Sequence, residues 1–278
     1  MELKSFRVQN FRSINDSGDI DVSRITAFLG RNESGKSNIL RALHSLNPAD
    51  GFEALKPIKD FPRHRKLSDC DDATRVVDSV WALNDAEQKQ LAEIWPKAVG
   101  ITTVTVARQY DNKRLIGIEV SGDAFSQSAI TAEARKIVAA VKAKAETLDD
   151  AGKVALATAA DKFFPAVSQG WIASSWAKKA QPALAELRQA MAGHDVELSE
   201  TQDAKIVELE ELAEGIPLDE VQHAEARKWV LQRLPKFMYL DEYPEIKGHQ
   251  DIAQFLQRKS EGRPTPADVN FEKLCKVA

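Results

Sequence analysis

Gly30, Gly35, Lys36 and Ser37 stand in the spacing G-x-x-x-x-G-K-[ST] within the stretch GRNESGKSN. Glycines let a backbone close around an anion, successive N–H groups and a helix N-terminus supply positive potential, and a lysine adds a full charge. The pattern predicts a loop that grips nucleotide phosphates, with Lys36 reaching the β- and γ-phosphates and Ser37 ligating Mg2+. Arg31, Asn32, Glu33 and Ser34 lie inside the loop and Asn38 follows it, so residues 30–38 form the expected contact set. Glu33 reads as a solvated loop tip with no catalytic part.

Such a loop needs a strand before it and a helix after it. Residues 24–30, RITAFLG, are a compact apolar run ending in glycine, which predicts a buried strand. After the loop, Ile39, Leu40, Leu43 and Leu46 recur at helical spacing until Asn47-Pro48, a stop signal. Upstream, Leu3, Phe6, Val8 and Phe11 alternate with polar residues, the period of a half-buried strand. Residues 18–22 are a candidate short partner strand, and residues 47–73 read as loop. Strand character returns in TRVVDSVWAL, GITTVTVARQYD and KRLIGIEVSG, the last two joined by a turn at Asp111-Asn112-Lys113. Between the first two, NDAEQKQLAEIW reads as a helix capped by Asn84 with Leu91, Ile94 and Trp95 facing inward.

From residue 126 to 233 the pattern is helical. Ile130, Ala134, Ile137, Val141, Ala145 and Leu148 fall at spacings of three and four. Gly152, Pro165, Gly170, Pro182 and Gly193 predict several short helices, one beginning with Pro182 in its first turn and another ending at Gly215. KFMYLDEYPEI then reads as a strand and its exit, HQDIAQFLQRK as a short helix, and the last residues as a proline-bearing loop leading into a final helix. The expected organisation is a lobe with the loop and antiparallel strands (1–125), a helical insertion (126–233), and a return strand opening a further lobe (234–278).

The chain has 278 residues, 43% hydrophobic, with a formal net charge of −4. That composition supports a core and excludes a surface that is basic throughout, so any DNA contact is local or comes through a partner. Two cysteines far apart in sequence do not make a disulfide framework. The five histidines, His44, His64, His194, His223 and His249, form no pair at metal-ligand spacing. No signal-peptide core and no run of about 18 apolar residues is present, so the expected compartment is the cytoplasm, with no membrane contact. The basic cluster RHRK, residues 63–66, reads as a solvated loop, with DNA phosphates as the alternative. Trp171 and Trp176 read as core packing, with a partner interface as the alternative.

LKSFRVQNFRSI, with Asn10-Phe11-Arg12, followed by ITAFLGRNESGKSNILRAL, resembles the opening of SMC/RecF-type ATPases, a branch of the ABC ATPases. The loop of that branch typically reads Gly-x-Asn-x-(Ser/Ala)-Gly-Lys-Ser-Asn, matched by Gly30, Asn32, Ser34, Gly35, Lys36, Ser37 and Asn38. The resemblance covers roughly the first 46 residues. Residues 234–248, LPKFMYLDEYPEIKG, are similar to a segment of OLD-type ATPases that follows a helical insertion.

The resemblance implies an α/β P-loop NTPase fold of ABC-ATPase type: a mixed sheet, an antiparallel β-subdomain and a compact helical insertion. It implies ATP with Mg2+, Arg12 near the nucleotide, and a second ATPase head across a shared ATP. It also implies coupling to a DNA-acting or phage-defence effector. ABC-type enzymes carry a glycine-rich signature loop and an apolar strand ending in Asp-Glu. LSETQ, residues 198–202, is rejected as the signature because Glu200 and Thr201 replace the glycines that let backbone approach phosphate. Two readings stand for FMYLDE, residues 237–242. In one it is the Walker B strand, with Asp241 on Mg2+ and Glu242 as general base. In the other it is an edge strand with solvated acids, preceding a Walker B that lies outside this chain. On the second reading the chain is a piece of a longer protein, and a module that binds ATP without hydrolysing it is the alternative function.

Overall fold

The alternation of Phe6, Val8 and Phe11 does what period two requires: all three are buried on one face of strand β1 (Glu2–Phe11). The structure is a computed structural model describing residues 1–49, 53–120, 126–169, 172–239 and 251–275. β1 pairs antiparallel with β2 (Ile14–Asp21) on one side and β3 (Arg75–Ala82) on the other. β4 (Thr103–Gln109) and β5 (Arg114–Gly117) extend the sheet in the order β2-β1-β3-β4-β5, every neighbour antiparallel. A register shift between Arg7 and Gln9 frees the Val8 N–H, which donates to Ser17 Oγ at 2.9 Å.

Helix α1 (Lys36–His44) follows the glycine loop, and α2 (Pro57–Asp60) is a single turn. α3 (Asp85–Ile94) opens with a capping box: Asn84 accepts from the Glu87 N–H and Glu87 from the Asn84 N–H, each at 2.9 Å. The chain forms two compact units, Met1–Val120 with Ala226–Ala278, and Ser121–Glu225. In the first, Phe6, Val8, Trp81, Leu91, Val106 and Val230 share one core. In the second, α4 (Gln127–Ala145), α5 (Asp150–Ser168), α6 (Ala173–Gly193) and the first part of α7 (Glu200–Arg233) bury Ile137, Leu156, Phe163, Trp176, Leu184 and Ile206. Trp176 donates its indole N–H to the Val167 carbonyl at 2.8 Å, so core packing accounts for it; Trp171 lies outside the described residues. In the first unit α8 (Ile252–Ser260) and α9 (Pro266–Cys275) are clasped by Arg258 on Asp268 at 2.7 Å.

Three expectations are corrected. The helices are long: Pro165 lies within α5, Pro182 in the middle of α6, and α7 runs through Gly215 and Pro217. Each interior proline removes one backbone bond, but the flanking turns bury Phe163, Val167, Ala180, Leu184 and Ala213, and that burial outweighs local propensity. Residues 24–30 form no strand. Ile25 and Leu29 are 88% and 94% exposed, and among the described residues no backbone pairs with this run; an apolar run becomes a buried strand only when neighbours supply hydrogen bonds and cover. Of the expected strand at 236–246, the described part contributes one parallel bridge, Phe237 to Pro48; residues 240–250 lie outside the description.

The same deletion at two leucines should therefore have different consequences. Leu156→Ala, from a fully buried site, is expected to cost about 3 kcal/mol in chemical denaturation, and Leu29→Ala less than about 0.5 kcal/mol. A cost at Leu29 near that at Leu156 would mean that the run is covered in solution.

Candidate functional site

The glycine loop turns on two residues with positive φ. Glu33 has φ 66° and Gly35, the N-cap of α1, has φ 95°; the second is a conformation that glycine adopts without cost. A Cβ on Gly35 would lie 3.2 Å from Ser13 Oγ, and one on Gly30 2.9 Å from Ser34 Oγ, so side chains already fill the space that these glycines leave. The N–H groups of Asn38 and Ile39 both donate to the Gly35 carbonyl, at 2.9 and 3.0 Å. Those of Lys36 and Ser37, in the first turn, have no intrahelical acceptor. Lys36 folds back over the loop, its Nζ donating to the carbonyls of Gly30 and Arg31 at 2.8 Å each. Arg31, Asn32, Glu33, Ser34 and Ser37 are exposed.

The loop is joined to the far end of β1. Asn38 Nδ2 donates to Ser13 Oγ at 2.9 Å, and Ser13 shares the two-residue β1–β2 turn with Arg12. Arg12 is left-handed, φ 52°, and is held by one acid: its N–H donates to the Asp60 carbonyl at 2.6 Å, and its Nε and Nη2 to Asp60 Oδ1 at 3.1 Å. Asp60 is buried, and its Oδ2 accepts from the Lys56 N–H at 3.1 Å. Asn10, also left-handed, is fixed by Tyr110, whose hydroxyl donates to the Asn10 carbonyl at 2.7 Å. Burial pushes the Tyr110 phenol well above its ordinary value, so it stays a donor.

Beside this turn opens a cleft of about 640 Å3 lined by Arg12, Ser13, Arg41, Lys59, Phe61, Arg63 and His64. Five of the seven are basic residue types and none is a carboxylate, in a chain of net charge −4. Arg41 lies over the Tyr239 ring, 5.2 Å from its centroid, and His64 Nε2 is 2.9 Å from Asn15 Oδ1. At the rim, Lys59 and Lys56 both hydrogen-bond Glu53 and hold its carboxyl down to about 2. A larger cleft of about 730 Å3, with Arg7, Arg75, Asp78 and Thr105 in its lining, contains no expected site residue; there Arg75 pairs with Asp78, and Arg7 with Asp16.

The expected site residues thus fall into one described group, with Arg12 and residues 30–38 linked through Ser13. Asp241, Glu242 and His249 lie outside the described residues. Sequence reasoning missed Ser13, Arg41, Lys59 and Asp60. RHRK was a visible signal for Arg63 and His64, but nothing in the spacing of KPIKDFP marks Asp60 as a partner of Arg12. Among the described residues no cluster of His, Cys, Asp or Glu could hold a metal ion on its own.

Residues 1–168, more than half of the chain, match the AAA ATPase domain. The chain belongs to this family. No curated protein matches it. Membership gives the chain a nucleotide-binding ATPase domain, and AAA ATPase domains generally use ATP with Mg2+. The cradle fits that ligand in its donors: an ammonium, an arginine-lined cleft, and backbone N–H groups at a helix start. The five-stranded antiparallel sheet and α1 are the parts of the domain that position these donors. No helix among the described residues is long and apolar enough to cross a membrane.

Asp60 should carry the turn. Asp60→Ala leaves Arg12 without its charged partner and is expected to lower stability by about 2 kcal/mol, read as a shift of the denaturant midpoint at constant slope. A change below about 0.5 kcal/mol would show that the turn holds without it.

Proposed function

We propose that this chain is the ATP-binding lobe of an OLD/RecF/SMC-like ATPase of the ABC type, in which ATP joins two heads and drives a DNA-acting or phage-defence effector. The observation that carries the reading is the link from the glycine loop and the start of α1, through Asn38 and Ser13, to the Arg12-lined basic cleft. Lys36 and the N–H groups of α1 receive the phosphates, Ser37 holds the Mg2+ that comes with them, and Arg12 meets the nucleotide at the β1–β2 turn. Mg2+ supplies charge that offsets the triphosphate. The resemblance of residues 1–46 supports the SMC/RecF-like placement, and that of residues 234–248 the OLD-type one. Equilibrium binding of Mg-ATP tests the reading: Lys36→Ala should weaken it at least about tenfold, and equal, negligible binding by both proteins would sink it.

A second reading, binding without hydrolysis by this chain alone, is favoured by one observation. None of the residues lining the basic cleft is a carboxylate, and Asp60, the acid that meets Arg12, holds the turn through Arg12 and the Lys56 N–H. Turnover by the purified chain decides between the two. Turnover abolished by Glu242→Gln would assign the general base to Glu242; no turnover despite tight binding would leave a nucleotide-responsive module.

A further inference from the structure

The β4–β5 hairpin sets Arg108 directly opposite Arg114 as its last registered pair before the turn. Like charges at directly opposed positions on neighbouring strands destabilise the pairing. No ion pair relieves these two: neither guanidinium forms one with a described residue, and the Nε atom of each is buried with no hydrogen-bond partner. Arg108 makes one bond, from Nη2 to Asn112 Oδ1 at 3.3 Å, to an oxygen that already accepts from the Leu55 N–H at 2.8 Å. Asp111, the acid within electrostatic reach of Arg108, is engaged by Lys113 through its Nζ at 3.1 Å and its N–H at 2.8 Å. Burial holds both guanidiniums below the ordinary arginine value, and Arg114 lowers Arg108 further.

A buried polar group without a partner costs free energy, and here two such groups also repel. One anion between the two guanidiniums offsets their repulsion and gives their remaining N–H groups an acceptor. A carboxylate brings one charge; a phosphate monoester or inorganic phosphate brings close to two, with three oxygens for two planar forks. We propose that Arg108 and Arg114 form a binding site for a phosphate dianion at the turn end of the β4–β5 hairpin. The site shares no residue with the glycine loop and does not depend on what that loop binds. Its ligand is free phosphate or the terminal phosphate of a nucleic-acid strand.

The test is a titration of the full chain with inorganic phosphate at constant ionic strength, read by calorimetry and by thermal midpoint. It is run on Lys36→Ala so that the glycine loop does not contribute. Saturable phosphate binding is expected to persist in that protein. Adding Arg108→Gln or Arg114→Gln should weaken it at least about tenfold, and Arg114→Lys, which keeps the charge but not the fork, should weaken it as well. Without phosphate, either glutamine variant should raise the thermal midpoint because the repulsion is gone. Oligonucleotides with a 5′-phosphate or a 5′-hydroxyl then separate the sources: competition by the first alone identifies a strand end, and competition by neither identifies free phosphate. Phosphate binding lost with Lys36→Ala alone, or unchanged in both glutamine variants, would overturn the proposal and leave the reading of the loop untouched.

Discussion

Arg12 is held at the β1–β2 turn by one buried acid, Asp60, and the arrangement of the candidate site follows from that contact. A left-handed backbone at a residue with a Cβ costs about 1–2 kcal/mol. The charge-assisted bonds to Asp60, about 1.5–3 kcal/mol for such a partner, offset it. With Arg12 fixed, Ser13 next to it is fixed too, and Ser13 is what Asn38 and Gly35 meet at the start of α1. Strand, turn, loop and helix are thus connected in sequence by side-chain contacts of ordinary length, with the sheet core below them.

The turn at Gly35 and the helix after it were legible in the sequence because both are local features. The hairpins were legible for the same reason, as Asn112 with φ 63° at the β4–β5 turn shows. Asp60 was not legible, because its partner is 48 residues away and neither residue is unusual in its own neighbourhood. The basic cleft was half legible. RHRK reads as a solvated loop, and Arg63 and His64 are exposed as that reading expects while also lining the cleft; Arg12, Arg41 and Lys59 reach the same space from three other segments. Residues 24–30 misled because apolar composition reports a tendency to be covered and does not say that cover exists.

The helical unit went astray for a related reason. Prolines and glycines mark helix starts and stops by local propensity, yet α5, α6 and α7 continue through theirs, since tertiary burial on both sides of a proline is worth more than one missing hydrogen bond. Polar contacts across helices add to this. Arg188 reaches Asp203 and Glu210, whose hydrogen bonds hold its guanidinium firmly protonated. Sequence separations of 15 and 22 residues place these acids beyond any helical spacing rule.

The folded-back lysine changes how affinity at the loop should be understood. Lys36 already commits two of its three ammonium N–H donors to carbonyls of its own loop, so an anion arriving there would not meet a bare cation. Any bond from those two donors to an anion would be an exchange, with a net free energy equal to the difference between two sets of bonds. The loop would then act as its own competitor, favouring ligands charged enough to replace two amide oxygens.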